Sequence, residues 1–102
     1  MNAAVFSGRL TKDPVAKDAN NAKLATFTIA VHRPLTRDIS DFIDCVAWNE
    51  KADFVLRNFK RGVAVEVKGI IVTREIDYLG TKRKITELRV DESAFSRDHV
   101  YE

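Results

Sequence analysis

The chain carries a single cysteine, Cys45, in 102 residues. That excludes an intramolecular disulfide and a thiolate metal cluster, and it fits a cytoplasmic setting where thiols stay reduced. Membrane-spanning helices need roughly 18 or more consecutive apolar residues, and no such run is present. The opening residues, Met1 to Arg9, lack the long apolar stretch of a signal peptide. With only two prolines and four glycines, there is no Pro-rich linker, low-complexity tract or internal repeat. There is also no phosphate-cradling glycine loop, no dinucleotide glycine run and no H-E-x-x-H helix. His32 and His99 stand far apart and, with Cys45, make no metal-ligand spacing. No nucleophile–base pairing stands out. The chain is read as not an enzyme, with no cofactor and no metal.

What is present is one domain's worth of sequence with 45% hydrophobic residues, enough for a core. Net charge is only +2, so bulk charge does not announce a nucleic-acid binder. Its distribution is uneven. Arg57, Lys60, Arg61, Lys68 and Arg74 face only Glu66 within residues 55–74, whereas residues 85–102 are predominantly acidic. Folding can gather the basic part on one face.

The most telling segment is Asp41 to Trp48, which alternates as a strand. Phe42, Asp44, Val46 and Trp48 share one face, and Ile43, Cys45 and Ala47 share the other. The second set suits a core. The first carries the only tryptophan and a phenylalanine, a candidate platform on which flat bases stack. The competing reading makes both aromatics ordinary core. Elsewhere, residues 3–12 read as a strand with a bulge or bend at Gly8, ended by Asp13-Pro14. Asp18 to Lys23 reads as a turn. Residues 24–33 alternate, with Phe27, Ile29 and Val31 on one side and Thr26, Thr28 and Ala30 on the other. Asn49 is an N-cap type. Ala52, Val55, Leu56 and Phe59 then give one helical stripe, stopped by Lys60, Arg61 and Gly62. Residues 63–75 and 82–91 read as strands around a hairpin tip at 77–81, with Gly69 as a kink. Five strands with one helix between the third and fourth is the layout of an all-β, five-stranded OB-fold barrel, a fold that commonly binds oligonucleotides.

Four runs carry a more specific resemblance: Ser7 to Pro14, Ala25 to Val31, Asp41 to Trp48, and Thr73-Arg74 through Lys82-Arg83 to Thr86-Glu87. In this order and spacing the chain resembles the bacterial single-stranded DNA-binding protein family. The resemblance implies an OB-fold domain over residues 1–96 with a short polar end at 97–102. It further implies a homo-oligomer, a tetramer or a dimer, that binds and protects single-stranded DNA in replication, recombination or repair, in the bacterial nucleoid or encoded by a phage or mobile element. The family's stacking positions fall on Phe42 and Trp48. A third aromatic place is taken by Ile76, with Tyr78 two residues on as a substitute. No aromatic stands at Pro34 or Leu35. The family's acidic tip, which recruits replication enzymes, has no counterpart in the polar end, so recruitment by a tail is not supported by this chain.

Candidate phosphate contacts are Arg9 and Lys12 on the first strand, Arg33 and Arg37 near the second loop, and Arg74, Lys82, Arg83 and Lys84 on the hairpin. Each has a plainer alternative. The Lys82-Arg83-Lys84 run can be solvated, Arg9 can pair with Asp13 or Asp44, and Tyr78 can be packing at a loop tip. Asp44, on the aromatic face, would repel phosphate unless an arginine pairs with it. The other reading of the whole chain is an OB-fold protein–protein interaction module that regulates a replication protein.

Overall fold

The computed structural model describes residues 1–36 and 38–96; Arg37 and residues 97–102, including the expected polar end, lie outside them. The elements in chain order are β1 (Ala4–Leu10), β2 (Val15–Ala19), β3 (Ala22–His32), β4 (Ser40–Trp48), α1 (Glu50–Asn58), β5 (Ala64–Tyr78) and β6 (Thr81–Phe95). The sheet runs β1-β5-β6-β4-β3-β2, and a further β1–β3 pairing closes it on itself. Two seams of the closure are narrow: Arg9↔Ala30 and Leu10↔Ile29 join β1 to β3, while Cys45↔Leu88 and Val46↔Arg89 join β4 to β6 in parallel.

The short strand β2 is absent from the sequence reading. It lies along β3 from Val15↔Thr26 to Ala19↔Ala22, continuing the line that β1 begins on the same strand at Arg9 and Leu10. Asp13-Pro14 interrupts that line rather than ending it. With β1 and β2 counted as one bent stave, the barrel is five-stranded with its helix between the third and fourth staves. This is the OB-fold.

Alternation decides which faces point inward. Ala25, Phe27, Ile29, Cys45, Ala47, Val65, Val67, Leu88 and Val90 are all buried and form the core with Val55 and Phe59. Phe59 is its hub: it meets Phe27, Phe54 and Phe95 edge-on, with ring centroids at 6.0, 5.7 and 5.7 Å. Such pairs contribute about 0.5–1.5 kcal/mol each beyond the area they bury. The helix thereby plugs one end of the barrel.

Several local expectations change. Asn49 precedes the helix with φ 54° and makes no side-chain cap. Its Oδ1 instead accepts the Lys23 N–H of β3, at 3.4 Å. The helix ends at Asn58, so Lys60 and Arg61 lie past its last turn, where only Arg57 is basic. Gly8 makes no bulge. A Cβ there would stand 2.4 Å from the Ala30 carbonyl oxygen, so glycine is needed for β1 to approach β3. The irregularity lies at Lys68/Gly69, as the kink expected at Gly69 implies.

Candidate nucleic-acid interface

The outer faces of β3, β4, β5 and β6 meet in one surface, and the register fixes its rows. Arg9, Ala30 and Phe42 share a rung. Thr28 and Asp44 share the next outward-facing one. Thr26, Val46, Arg89 and Ile70 share another, and Leu24 lies beside Trp48. Phe42 stands 67% exposed at one end, and Trp48 is half-buried at the other. Six residues separate them, about 20 Å at a strand's ~3.3 Å rise per residue. Val46 shares their face yet is only 6% exposed, because it is central in its rung between Thr26 and Arg89.

On this side lies an open cavity of about 550 Å³, bordered by Lys12, Thr28, Asp44, Arg74, Ile85 and Glu87. Its floor is partly acidic. Among the described residues no arginine pairs with Asp44; the Thr28 hydroxyl donates to its Oδ1 at 2.8 Å. Asp13 accepts the Arg61 backbone N–H at 2.8 Å and so fastens the turn after the helix. Burial pushes the Cys45 thiol up to about 12, with the charges of Asp44 and Glu87 adding to the effect. This thiol is therefore an inert member of the core.

The candidate cations separate into distinct settings. Arg9 donates from Nη1 to the Gly62 carbonyl, which ties β1 to the turn before β5. Lys12 is exposed at the cavity rim. Arg33 grips Asp41 with two bonds, Nε to Oδ2 at 3.1 Å and Nη2 to Oδ1 at 2.6 Å. That hydrogen-bonded pairing raises the Arg33 pKa and lowers that of Asp41. Arg74 donates to Glu87 Oε1 across the β5–β6 ladder at 3.0 Å. Arg37 lies outside the described residues.

The Lys82-Arg83-Lys84 run is divided by the strand's alternation. Arg83 pairs with Ile76 and lies 5.1 Å from the Tyr78 ring centroid, on the side that also carries Arg74, Ile85 and Glu87. Lys82 and Lys84 point to the other side, opposite Asp77 and Glu75. Tyr78 is exposed at 52%, and Ile76, at the third aromatic place, is half-buried beside it.

Sequence reasoning missed Arg89, whose guanidinium lies 5.3 Å from the Trp48 ring centroid. Its outward direction was legible from alternation with Leu88 and Val90. Its neighbour was not, because that depends on the two-rung parallel seam between β4 and β6.

Comparison with known proteins bears on this surface. The model of the single-strand binding protein family matches residues 1–96. The chain is similar to single-stranded DNA-binding protein A of Bacillus subtilis, at 37% identity over 101 residues, covering 93% of this chain and 59% of the relative. It is similar to single-stranded DNA-binding protein 2 of Clostridium acetobutylicum, at 38% identity over 93% of this chain and 76% of that protein. The single-stranded DNA-binding protein of Halalkalibacterium halodurans is 36% identical over 93% of this chain and 60% of its own length. The chain thus spans about three fifths of the Bacillus and Halalkalibacterium relatives. A closed barrel with this topology, and a match running from its first strand to its last, lead to one conclusion: the chain belongs to the single-strand binding protein family.

Proposed function

We propose that the protein binds single-stranded DNA without base preference, stacking bases on Phe42 and Trp48 and meeting phosphates with arginine and lysine. The observation that carries this reading is the 67% exposure of Phe42 on the same outward strand face as the half-open Trp48. An aromatic left bare on a barrel's outer surface offers its π-face to a flat ligand. Stacking contributes about 1–3 kcal/mol per base and tolerates any base, because every base has a π-face. Phosphate contacts come from Arg9, Lys12 and Arg33 around the barrel, from Arg74, Lys82, Arg83 and Lys84 on the hairpin, and from Arg37, with Tyr78 as a further ring. The role is protection of unpaired strands in replication, recombination or repair; the surface is a binding one, with no chemistry assigned.

Anisotropy of labelled oligo-dT tests this. Changing Phe42 and Trp48 together to Ala is expected to weaken binding at least tenfold while the fold, read by circular dichroism, persists. Unchanged affinity in that variant rules out the stacking surface. The alternative, an interaction module, is supported by Ile76 where an aromatic would stack. Absence of any complex with oligo-dT at low salt favours it.

Assembly is part of the same proposal. Among the described residues, β1 pairs with β5 along Ala4–Arg9, and its other edge pairs with β3 only at Arg9 and Leu10. Ala4 to Gly8 thus present a strand edge with no partner strand among the described residues, with Val5 64% exposed. Open edges accept another strand, and a second copy placed there makes the homo-oligomer; light scattering checks it. No helix among the described residues is long and apolar enough to cross a membrane.

A further inference from the structure

We propose that Arg89 is a DNA-contacting residue, held by the Trp48 ring so that its guanidinium meets the phosphate of the nucleotide stacked at that end of the surface. The inference rests on the single-stranded DNA reading above and assigns it a residue that neither the strand motifs nor the basic clusters indicate.

Three observations carry it. Arg89 sits on the outward rung Thr26–Val46–Arg89–Ile70, where no neighbour is acidic. Of the nearby outward carboxylates, Glu87 is paired with Arg74 at 3.0 Å, Asp91 with Lys51 at 3.9 Å, and Asp44 accepts the Thr28 hydroxyl at 2.8 Å; among the described residues none forms an ion pair with Arg89. The guanidinium instead lies over the indole, 5.3 Å from its centroid. A planar guanidinium on an aromatic face keeps its N–H donors directed outward in the ring plane's surroundings, with less side-chain entropy left to lose when a phosphate arrives. Arginine is also the side chain whose fork matches phosphate oxygens two at a time. Val46, a member of this rung packed down to 6% exposure, gives the pair a firm neighbour. The geometry therefore joins a stacking surface and a cation that has no ion pair among the described residues in one station.

The test is the salt dependence of oligo-dT binding by the whole chain, read by anisotropy, for wild type, Arg89→Ala and Arg89→Lys. Losing one phosphate contact lowers the slope of log K against log salt by about 0.7, and loss of a charged hydrogen bond weakens binding about tenfold at low salt. Arg89→Ala is expected to show both changes with an unaltered circular dichroism spectrum. Arg89→Lys is expected to keep the wild-type slope and lose only part of the affinity, since it retains the charge without the planar fork. Wild-type affinity and slope in Arg89→Ala overturn the inference. So does weakened binding at an unchanged slope with Arg89→Lys no better than Arg89→Ala, because Arg89 would then merely hold Trp48 in place. Failure of the wild type itself to bind overturns the single-stranded DNA reading and this contact with it, a result separable from the others because it precedes any substitution.

Discussion

One ladder, β5–β6, serves two regions held by different forces. In the barrel half, Val65, Val67, Leu88 and Val90 are each at most 2% exposed. Beyond Thr73↔Thr86 the same pairing continues to Tyr78↔Thr81, yet no side chain in that arm is fully buried. There the ladder is supported by cross-strand neighbours: Glu75 opposite Lys84, Asp77 opposite Lys82, and Arg83 over Tyr78. Each such pair contributes roughly 0.2–1 kcal/mol. Burying a single valine or leucine contributes about 1.5–3 kcal/mol. The barrel half is therefore expected to open only with global unfolding, and the arm well below that. Under the proposed function, ligands that vary in base and conformation would meet aromatic rings on the barrel half and a more compliant basic arm.

The sharpest way to break this contrast is at the two glycines of this hairpin, one in the ladder and one in its turn. A Cβ on Gly69 would stand 1.8 Å from the Arg89 carbonyl oxygen, a backbone atom of the paired strand. Gly69→Ala is expected to destabilise the protein by about 3 kcal/mol or more, since the bulge must move to admit it. Gly80, with φ +81°, has nothing within 4 Å of the corresponding position. Gly80→Ala meets only left-handed backbone strain, about 1–2 kcal/mol. Chemical denaturation measures the difference, and Cys45 adds a regional readout. Its buried thiol, with pKa pushed up to about 12, reacts with a labelling reagent only when the barrel opens. Gly69→Ala is expected to speed labelling and Gly80→Ala to leave it near wild type. Equal effects would mean that arm and barrel open as one unit.

For ligand binding the same contrast predicts unequal contributions. Phe42→Ala alone is expected to cost about 1–3 kcal/mol with little change in salt slope, because stacking releases no counterion. Arg83→Ala, on the side shared with Arg74, is expected to lower the slope by about 0.7. Lys84→Ala is expected to lower it less, because Lys84 lies on the opposite side with Glu75 across from it. Anisotropy over a salt series distinguishes the three. A larger slope change for Lys84→Ala would put the DNA path on the arm's other side.

How much of this was legible beforehand follows the range of the interactions. Period-two alternation grouped Phe27 with Ile29 and Cys45 with Ala47, faces that the fold buries, and set Phe42 and Trp48 on the face opposite Cys45 and Ala47, because alternation is local. The helix and the Gly69 irregularity were local as well. The strand β2 escaped because Val15–Ala19 is almost wholly exposed and so carries no apolar period; its pairing with β3 alone defines it. The direction of Asn49 depends on Lys23, in a strand brought alongside by folding. The engagement of Arg74 with Glu87, and of Arg89 with Trp48, required the register of β6 against two different strands. Chain-distant partners decide which charges remain available, and those are what sequence patterns carry least.

The smallest expected effect lies at the arm's tip, where a substitution can strengthen the weaker region. Leu79 and Gly80 form the two-residue turn, with φ 51° and 81°. Two positive φ angles fit the I′ hairpin turn, whose twist matches that of the flanking strands and whose preferred pair is Asn-Gly. Leucine at the first position bears the steric cost of left-handed backbone, and its side chain is 88% exposed, so burial returns little. Leu79→Asn is therefore expected to stabilise the arm by up to about 1 kcal/mol. Slower amide exchange at residues 74–85, with Cys45 labelling unchanged, is the expected signature. If oligo-dT meets the arm in one arrangement, as proposed, a pre-ordered arm loses less entropy on binding, and affinity should rise by up to a few-fold at fixed salt. If exchange slows while affinity falls, Leu79 itself touches the ligand, and the tip is a contact rather than a hinge.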